Sequence, residues 1–294
     1  MKNLIFILTC LLLPVCLSAC SLAPQAKQKA APLRVMTFNI RYHNRGDGPN
    51  AWPLRKKFTL KTITDYQPHI LGLQEVLDDQ AQDIKRQLPH YAFHGVGRDD
   101  GKKRGEYAPV LYRKDRFTLV DSGHFWLSEK PQTPGIVSWD SSQTRMASWV
   151  ILRDKQNPHA QEIIVLNTHY DHIGQSARNH SSQIIANHLK KIRNQRHVLL
   201  LGDFNAKPQS HAHQILIQQL HLKDAHAHTA DQNTGTYHGF TGQSTSGRID
   251  WILYSGQLSA TDSHINKIHN SQHRYPSDHF PVTTLIQYRN SSLP

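Results

Sequence analysis

The hydrophobic positions of this chain follow two different periods from residue 33 onward. Short apolar runs bounded by turn residues are typical of buried β-strands, whereas apolar residues three or four positions apart indicate the inner face of a helix. The runs predict strands at LRVMTFNI, ILGLQ, APVLYR, SWVILRD, EIIVLNTH, HVLLLGDF, RIDWILYS and FPVTTLIQY. Helical spacing occurs in residues 77–88, 177–192 and 210–220.

The strand pattern indicates how the sheets are arranged. Most of the runs are apolar on both faces, as in strands that are covered on both sides, and several follow one another without a helix between them. This favours two stacked sheets covered by helices over a single doubly wound sheet. No linker-like segment interrupts the pattern, so we predict one domain over residues 34–289.

The first twenty residues, MKNLIFILTCLLLPVCLSAC, predict a secretion signal. Lys2 gives the segment a basic start, an apolar stretch follows, and small residues precede Cys20. The ending LSAC resembles the bacterial lipobox, whose cysteine becomes the lipidated first residue of the mature protein. We predict a signal peptide over residues 1–19, followed by lipidated Cys20 and a flexible tether over residues 20–33. The alternative is an ordinary signal peptide in which Cys20 has no role.

This segment also determines the expected compartment. All three cysteines lie within it, so the mature domain is expected to contain no disulfide. In such lipoproteins Ser21, in place of Asp, resembles the pattern that permits export to the outer membrane. We therefore expect a lipid-anchored protein of the bacterial cell envelope, in the outer membrane. We also expect the protein to be a monomer.

The charge balance narrows the class of partner. Lys and Arg number 34 against 22 Asp and Glu, which gives a formal net charge of +12 and a pI of about 9.7. Such a surface attracts phosphate-rich partners such as nucleic acid or anionic lipid. The alternative is that the positive charge only keeps the protein soluble.

Small polar side chains stand at the ends of the apolar strands. In HVLLLGDFNAKP, Asp203 and Asn205 follow a buried strand, and they project to one side if the extended geometry continues through Phe204. Charged groups in such places are costly unless they are paired or bind a cation. Oxygen ligands without thiolates favour Mg²⁺, Mn²⁺ or Ca²⁺ over structural zinc. The other strand-end residues are Asn39, Glu75, His169, Asp171, Asp250, Asp278 and His279.

Six segments resemble, in this order, the motifs of the endonuclease/exonuclease/phosphatase superfamily: MTFNIR, LGLQEV, NTHYDH, LLGDFNAKP, RIDWIL and YPSDHFPV. The resemblance runs from about Arg34 to Tyr288. It implies an α/β fold, the four-layer αββα sandwich in which two stacked mixed β-sheets are flanked by helices. It also implies a metal-dependent hydrolase of phosphate ester bonds, with Mg²⁺ as cofactor and Mn²⁺ as the alternative.

The resemblance implies a role for each strand-end residue. Glu75 would be the principal metal ligand, with Asn39 and Asp278 nearby. Asp250 would hold His279, which would act on the attacking water or on the phosphate.

Three further catalytic roles follow from the same resemblance. Asp203 would orient or deprotonate the water, and Asn205 and His169 would bind the phosphoryl oxygens. The choice between Asp203 and His279 as the general base stays open at this point.

A second group of residues is expected to contact substrate. Arg41 follows Asn39 by two positions and would share its direction, and Asp171 stands two residues after His169. The alternatives are a surface arginine and a turn aspartate. Segments similar to those of a bacterial subgroup of the family contain Glu106, Tyr107, Trp139 and Arg145. Core packing is the alternative for the two aromatic residues.

A histidine-rich region raises a separate question about zinc. His211 with His213, or His226 with His228, could chelate the metal, although a spacing of two on a helix does not put both rings on one face. We favour a solvated, partly protonated surface for these histidines.

Three functions compete at this level. The first is a phosphodiesterase or nuclease-like hydrolase at the cell envelope, with nucleic acid as a partner, because the net charge is positive. The second is a phospholipid phosphodiesterase of the sphingomyelinase type, or a phosphohydrolase of inositol or sugar phosphates. The third is a binding lipoprotein without catalysis, which would have no need of the whole set of polar residues.

Overall fold

The computed structural model describes residues 31–244, 246–256 and 258–289. The predicted signal peptide, Cys20 and most of the predicted tether lie outside the described residues. None of the helices in the described part combines the length and the apolar character that a bilayer span needs.

Twelve strands and four α-helices make up the described chain. The strands are β1 (Leu33–Asn39), β2 (Ile70–Gln74), β3 (Tyr91–His94), β4 (Val110–Arg113), β5 (Phe117–Trp126), β6 (Met146–Asp154), β7 (Ile163–His169), β8 (His197–Asp203), β9 (Leu222–Asp224), β10 (Asp250–Ser255), β11 (Leu258–Ile265) and β12 (Val282–Tyr288). The helices are α1 (Trp52–Tyr66), α2 (Asp78–Gln87), α3 (Gln175–Ile192) and α4 (His211–Leu220), and a 3₁₀ segment spans Arg45–Asn50.

The strands form two mixed six-stranded sheets. Their orders are β11-β12-β1-β2-β4-β3 and β5-β6-β7-β8-β10-β9. One parallel pair lies inside each sheet, β1 with β2 and β7 with β8, and the other pairings are antiparallel. The prediction of two stacked mixed sheets is confirmed.

Alternation along the central strands explains the four layers. In β1, Leu33 and Val35 belong to the core between the sheets, whereas Met36 and Phe38 pack under α1 and α2. The second sheet repeats this arrangement, with one face of β8 in the inner core and the other under α3 and α4. Because both faces of each central strand are buried, the sequence shows continuous apolar runs instead of alternation.

The predicted helices are confirmed, and one helix was missed. Helix α1 buries Arg55 and Thr59 together with apolar residues, so its inner face shows no clear hydrophobic period. The Arg55 side chain compensates by donating to the backbone carbonyls of Ile40 at 2.6 Å, Arg41 at 2.7 Å and Pro276 at 3.1 Å. Arg55 of helix α1 therefore connects the loop after β1 with the loop before β12, and both loops contain predicted site residues.

The solvated surface expected for the histidine-rich region is wrong for two of its members. His213 lies against Asp224, with 3.3 Å between Nε2 and Oδ2, and is 8% exposed, while His226 is fully buried. Burial, with the nearby charge of Arg248, lowers the pKa of His226 to about 4. The helix and the adjoining strand fold these rings inward, which the polar sequence did not indicate.

A polar contact between the sheets fixes their relative register. Gln74 Nε2 donates to Asn167 Oδ1 at 2.7 Å, and Asn167 Nδ2 donates to the carbonyls of Leu73 and Pro109 at 2.7 and 2.9 Å. Gly72 makes this close approach possible, because a Cβ there would lie 2.6 Å from Asn167 Oδ1. The contact lies directly beneath the strand ends that carry the predicted site.

A buried ion pair holds the start of β10. Arg248 Nη2 donates to Asp224 Oδ2 at 2.6 Å, and the His226 N–H donates to Asp224 Oδ1 at 2.9 Å. Burial opposes the charge of Asp224, but His213 and Arg248 hold the pKa of this carboxyl well below its usual value. The pair fixes the backbone two residues before Asp250.

We expect Asp224→Asn to lower the free energy of unfolding by about 3–5 kcal/mol, because it leaves the buried Arg248 guanidinium without its carboxylate. Urea denaturation measures the loss. Asp262→Asn is the matched control, since Asp262 is exposed, and it should change stability by no more than about 0.5 kcal/mol. Equal effects of the two substitutions would contradict the assigned role of the buried pair.

Candidate functional site

Strand register brings the predicted residues to one end of the sandwich. Asn39 pairs with Gln74 across the parallel strands β1 and β2, so Glu75 follows beside it. In the other sheet, Asp203 pairs with His169 on one side and with Asp250 on the other. Asp278 and His279 lie a few residues before β12, which runs antiparallel to β1.

Asn39 connects the two halves of this site. Its Nδ2 donates to Glu75 Oε1 and to Asp203 Oδ2, both at 2.9 Å, and its Oδ1 accepts from the Arg41 N–H at 3.0 Å. The Ser277 hydroxyl donates to the Asn39 carbonyl at 2.7 Å. Asn39 is fully buried and positions one carboxylate from each sheet, while its direct binding of metal stays a prediction.

His279 lies between two buried carboxylates. Its Nδ1 donates to Asp250 Oδ2 at 3.0 Å, and its Nε2 lies 3.7 Å from Asp203 Oδ2. Burial alone would lower the pKa of His279, but Asp250 and Asp203 raise it to about 10. Burial and the charge of Asp250 raise the pKa of Asp203. The ring is therefore an imidazolium at neutral pH.

We expect the free energy of unfolding of the chelator-treated protein to fall as the pH rises from about 6.5 to about 10. The His279 ring titrates near 6.5 when unfolded and near 10 when folded. Its stabilisation is complete below the first value and is lost as the pH passes the second. One proton gives a slope of about 1.4 kcal/mol per pH unit.

Urea denaturation of the protein beside His279→Gln isolates this contribution. The difference in stability between the two proteins should shrink as the pH rises. A difference that does not change with pH would mean that the folded ring is neutral.

His169 is a neutral ring that accepts a hydrogen bond from an amide, while its Nδ1 has no hydrogen-bond partner among the described residues. Burial, with the charge of Arg145, lowers its pKa to about 3, so its approaches to Asp203 and Glu106, both 3.6 Å, are not ion pairs at neutral pH. Asn205 Nδ2 lies 3.1 Å from Nε2 and donates to it, which leaves the proton on Nδ1, facing Glu106. Arg98 holds Glu106 at 2.8 and 3.1 Å.

From the sequence, Glu106 was predicted only to help form the substrate pocket, and no role was predicted for Arg98. The structure places Glu106 against the ring of His169. The segment GRDDGKKRGEY contained both residues, but nothing in its pattern indicated their contact with His169.

The carboxylates of Glu75 and Asp278 both lie close to the positively charged side chain of Arg41. The Arg41 guanidinium lies 3.9 Å from Glu75 Oε2 and 3.7 Å from Asp278 Oδ2, and it pairs bidentately with Asp47 at 2.9 and 3.0 Å. Burial raises the pKa of Asp278 to about 6, with the charge of Glu75 adding to the shift and that of His279 opposing it. Two carboxylates that already share one positive charge suit a hard divalent cation. These residues fit the predicted metal ligands.

A second cluster could hold a metal by geometry alone. One ligand atom from each of Asp203, Asp250 and His279 lies within 4.8 Å of the others. However, the His279 Nδ1 already donates to Asp250, so only its Nε2 could reach a metal. Metal binding by the Glu75 group and proton chemistry at this cluster stay predictions.

A cleft of about 580 Å³ contains most of the site. It is lined by Arg41, Tyr42, Glu75, Glu106, Gln143, Arg145, His169, His172, Asp203, Asn205, Ala206, Lys207, Tyr237, Ser246, Ile249, Asp278 and His279. Asn39 and Asp250 lie buried directly behind this surface.

Three predicted substrate-contacting residues do not line the cleft. Trp139 stacks on His180, with 4.5 Å between the ring centroids. Tyr107 is buried and its hydroxyl donates to Asp78 at 2.9 Å. Asp171 is 1% exposed and accepts hydrogen bonds from the Ser142 hydroxyl and from the N–H groups of Ile173 and Gly174. Asp171 also contacts Arg145 Nε at 3.4 Å, so its observed role is to position an arginine that does line the cleft.

Three cleft residues adopt an uncommon backbone conformation. Arg41, Glu75 and Asn205 have φ values of 55°, 60° and 45°. The extended geometry expected through Phe204 therefore ends at Asp203, and Asn205 reaches the site from a left-handed turn. Such non-glycine positions cost about 1–2 kcal/mol each and are concentrated at functional sites.

A sequence model described as the endonuclease/exonuclease/phosphatase family matches residues 36–279, which include every residue of this site. The chain belongs to the endonuclease/exonuclease/phosphatase family. Membership and the observed geometry support phosphate-ester hydrolysis as the general reaction, and family members typically depend on a divalent metal.

Solved structures of family members are similar over the same region. The endonuclease/exonuclease/phosphatase from Bacteroides vulgatus is 36% identical, with a TM-score of 0.82 over 88% of this chain and 99% of that chain. A mannosyl-6-phosphatase from Bacteroides thetaiotaomicron is 30% identical, with a TM-score of 0.80 over 87% and 100%. D. rerio TDP2, complexed with a single-stranded DNA product, is 16% identical with a TM-score of 0.68 over 87% and 99%, which shows the fold alone.

A curated relative matches a shorter region. "Uncharacterized protein R895" of Acanthamoeba polyphaga mimivirus is 28% identical over 106 residues, which are 32% of this chain and 15% of that protein. This match adds nothing on substrate.

Proposed function

We propose that this protein is a divalent-metal-dependent phosphoesterase that acts on a small phosphorylated molecule such as a sugar phosphate. The observation that carries the proposal is the cleft of about 580 Å³, in which a carboxylate pair, an imidazolium and a buried aspartate converge. This volume is within the range of small-molecule sites. The similarity to a mannosyl-6-phosphatase over nearly the whole described chain also supports a small ester.

Asp203 is proposed as the general base. Burial and the charge of Asp250 raise the pKa of Asp203, which makes its carboxylate a stronger base. Its two oxygens accept from the Asn205 N–H at 3.0 Å and from Asn39 Nδ2 at 2.9 Å, which fixes the orientation of the carboxylate. His279, already protonated, is a poor base.

The other polar groups are proposed to stabilise charge on the phosphate. With Nδ1 bonded to Asp250, the His279 ring presents its Nε2–H as a donor for a phosphoryl oxygen. Asn205 Nδ2 already donates to His169 Nε2 and to the Tyr170 carbonyl, so a bond to the phosphate would require it to give up one of these partners. A bound divalent cation, Mg²⁺ or Mn²⁺, would be held by Glu75 and Asp278 and would neutralise charge on the phosphate.

A second candidate is a nuclease-like phosphodiesterase. The observation in its favour is the net charge of +12, which suits a nucleic-acid partner. Such an enzyme should lose affinity for DNA steeply as the salt concentration rises.

The proposed location is the bacterial outer membrane, with lipid attached to Cys20. The lipobox-like LSAC and the following Ser21 support this location. Strand β1 begins at Leu33 and ends at Asn39 in the site, six residues later and about 20 Å along the strand. The chain therefore enters the domain at the end of β1 away from the cleft, which favours a substrate that reaches the cleft from solution.

Substrate assays with three proteins test the proposed reaction. The full-length protein, His279→Ala and the control His211→Ala would each be given mannose 6-phosphate, bis(p-nitrophenyl) phosphate, single-stranded DNA and sphingomyelin vesicles, with Mg²⁺ or with chelator. We expect the parent and His211→Ala to release phosphate from the sugar ester when metal is present. We expect no release by His279→Ala or in chelator. Cleavage of DNA without release from the sugar ester would instead support the nuclease. Hydrolysis of none of the four would overturn both.

A further inference from the structure

One wall of the cleft contains an arginine that has an unpaired guanidinium nitrogen. Arg145 immediately precedes β6, is only 4% exposed and lines the cleft. Its Nη1 is buried and finds no hydrogen-bond partner among the described residues. A buried guanidinium nitrogen without an acceptor is costly, and a ligand oxygen would satisfy it.

The rest of the guanidinium is held in place. Its Nε contacts Asp171 Oδ2 at 3.4 Å, and its Nη2 donates to His172 Nδ1 at 3.0 Å. Asp171 is itself fixed by the Gly174 N–H at 2.7 Å and the Ser142 hydroxyl at 2.7 Å. Arg145 is therefore positioned before a ligand arrives, which reduces the entropy cost of binding.

The polar neighbours of Arg145 in the cleft wall offer donors. His172 accepts from Arg145 at Nδ1, so its Nε2 carries the proton. The Gln143 Oε1 accepts from Arg98, so its amide nitrogen remains as a donor. The Lys207 ammonium lines the same cleft. We call Gln143, Arg145, His172 and Lys207 the Arg145 subsite.

The nearby acceptors are already occupied. Glu106 accepts both of its hydrogen bonds from Arg98, and Asp171 is surrounded by donors. A neutral hydroxyl must donate as well as accept, and these carboxylates offer it little capacity, whereas an anionic oxygen only accepts. The available donors, the unpaired Arg145 Nη1 among them, therefore favour an anion.

We propose that the Arg145 subsite binds a second anionic group, a phosphate or a carboxylate, on the part of the substrate that does not react. The proposal rests on the proposed function, since it names the class of substrate for the same cleft. The substrate would then be a phosphate ester with a second negative group, with the ester at the catalytic residues and the second group at Arg145. Bidentate or charge-assisted bonds to guanidinium give such recognition both strength and direction.

Binding to a catalytically inactive protein tests the subsite without turnover. Full-length His279→Ala would be titrated by calorimetry, in chelator, with fructose 6-phosphate and fructose 1,6-bisphosphate, and with glucose 6-phosphate and 6-phosphogluconate. The first pair adds a phosphate and the second a carboxylate. We expect the two-anion member of at least one pair to bind about tenfold more tightly, the lower end for a hydrogen bond to a charged group. The pair that responds identifies the anion.

The second variant attributes this selectivity to the subsite. Adding Arg145→Gln should reduce the ratio of the two dissociation constants about tenfold, whereas Arg153→Gln, an exposed arginine outside the cleft, should leave the ratio unchanged. If Arg145→Gln does not fold, His172→Ala on the exposed face of the subsite takes its place and should also reduce the ratio. An unchanged ratio in the folded variant, or equal binding within both pairs, would overturn the proposal.

The outcome for the subsite is separate from the outcome for the reaction. If the active protein hydrolyses no phosphate ester but the inactive one shows Arg145-dependent selectivity, the subsite stands and the proposed function fails. If esters are hydrolysed and no pair is discriminated, the proposed function stands and the subsite fails.

Discussion

Asp203→Asn is expected to lower kcat for phosphate-ester hydrolysis by about 10²- to 10⁴-fold, the usual contribution of a general base. The substitution keeps the size of the side chain and an oxygen for the Asn205 N–H, but it replaces the oxygen that accepts from Asn39 Nδ2 with an NH2 group. KM should change far less than kcat, because Asp203 acts on water and not on the substrate. Steady-state kinetics with saturating Mg²⁺ measure both constants.

Two comparisons make this result specific. Asp262→Asn lies on the exposed surface and should leave kcat unchanged. A loss smaller than about tenfold in Asp203→Asn, together with a large loss in His279→Gln, would transfer the role of base to His279. The assignment of the His279 imidazolium would then be wrong for the metal-loaded enzyme.

Glu75→Gln is expected to weaken Mg²⁺ or Mn²⁺ binding by more than about 100-fold, because even the loss of a residue that supports a ligand costs about 10- to 100-fold. Calorimetry on chelator-stripped protein gives the affinity directly. The rise in Tm that metal produces in the parent should disappear in the variant, because ligand binding stabilises the folded state by mass action.

Glu106→Gln is the matched control for this experiment. Glu106 also lines the cleft, but Arg98 pairs with its carboxylate, which lies 3.6 Å from the His169 ring. It should retain the affinity of the parent for metal. Normal affinity in Glu75→Gln would move the metal to the cluster of Asp203, Asp250 and His279.

The fold could be predicted largely because its signals are local. Apolar runs marked the central strands, and helical spacing marked α2, α3 and α4. Helix α1 was missed because Arg55 and Thr59 occupy its buried face, where backbone carbonyls of distant loops satisfy Arg55. That compensation depends on tertiary contacts, so hydrophobic periodicity does not detect it.

The sequence predicted which residues form the site better than it predicted which of them contact one another. Strand-end positions gave Asn39, Glu75 and Asp203, which the structure brings within hydrogen-bond distance of one another through Asn39. The partnership of His169 with Glu106 was not predicted, because Glu106 stands in a loop without periodicity. The assigned roles in metal binding and catalysis stay predictions until the substitutions above are measured.

The sequence by itself determined which residues form the central strands and which polar residues stand at their ends, because alternation and turn residues act over a few positions. Only the tertiary structure decided which of those residues meet. Asn39 and Asp203 are 164 positions apart and contact because two sheets stack in one register. The same stacking leaves Asp171 behind the cleft wall and Arg145 on it. Tertiary contacts also set the charge of the two histidines: burial and the charge of Arg145 keep His169 neutral, whereas Asp250 and Asp203 keep His279 charged against the effect of burial.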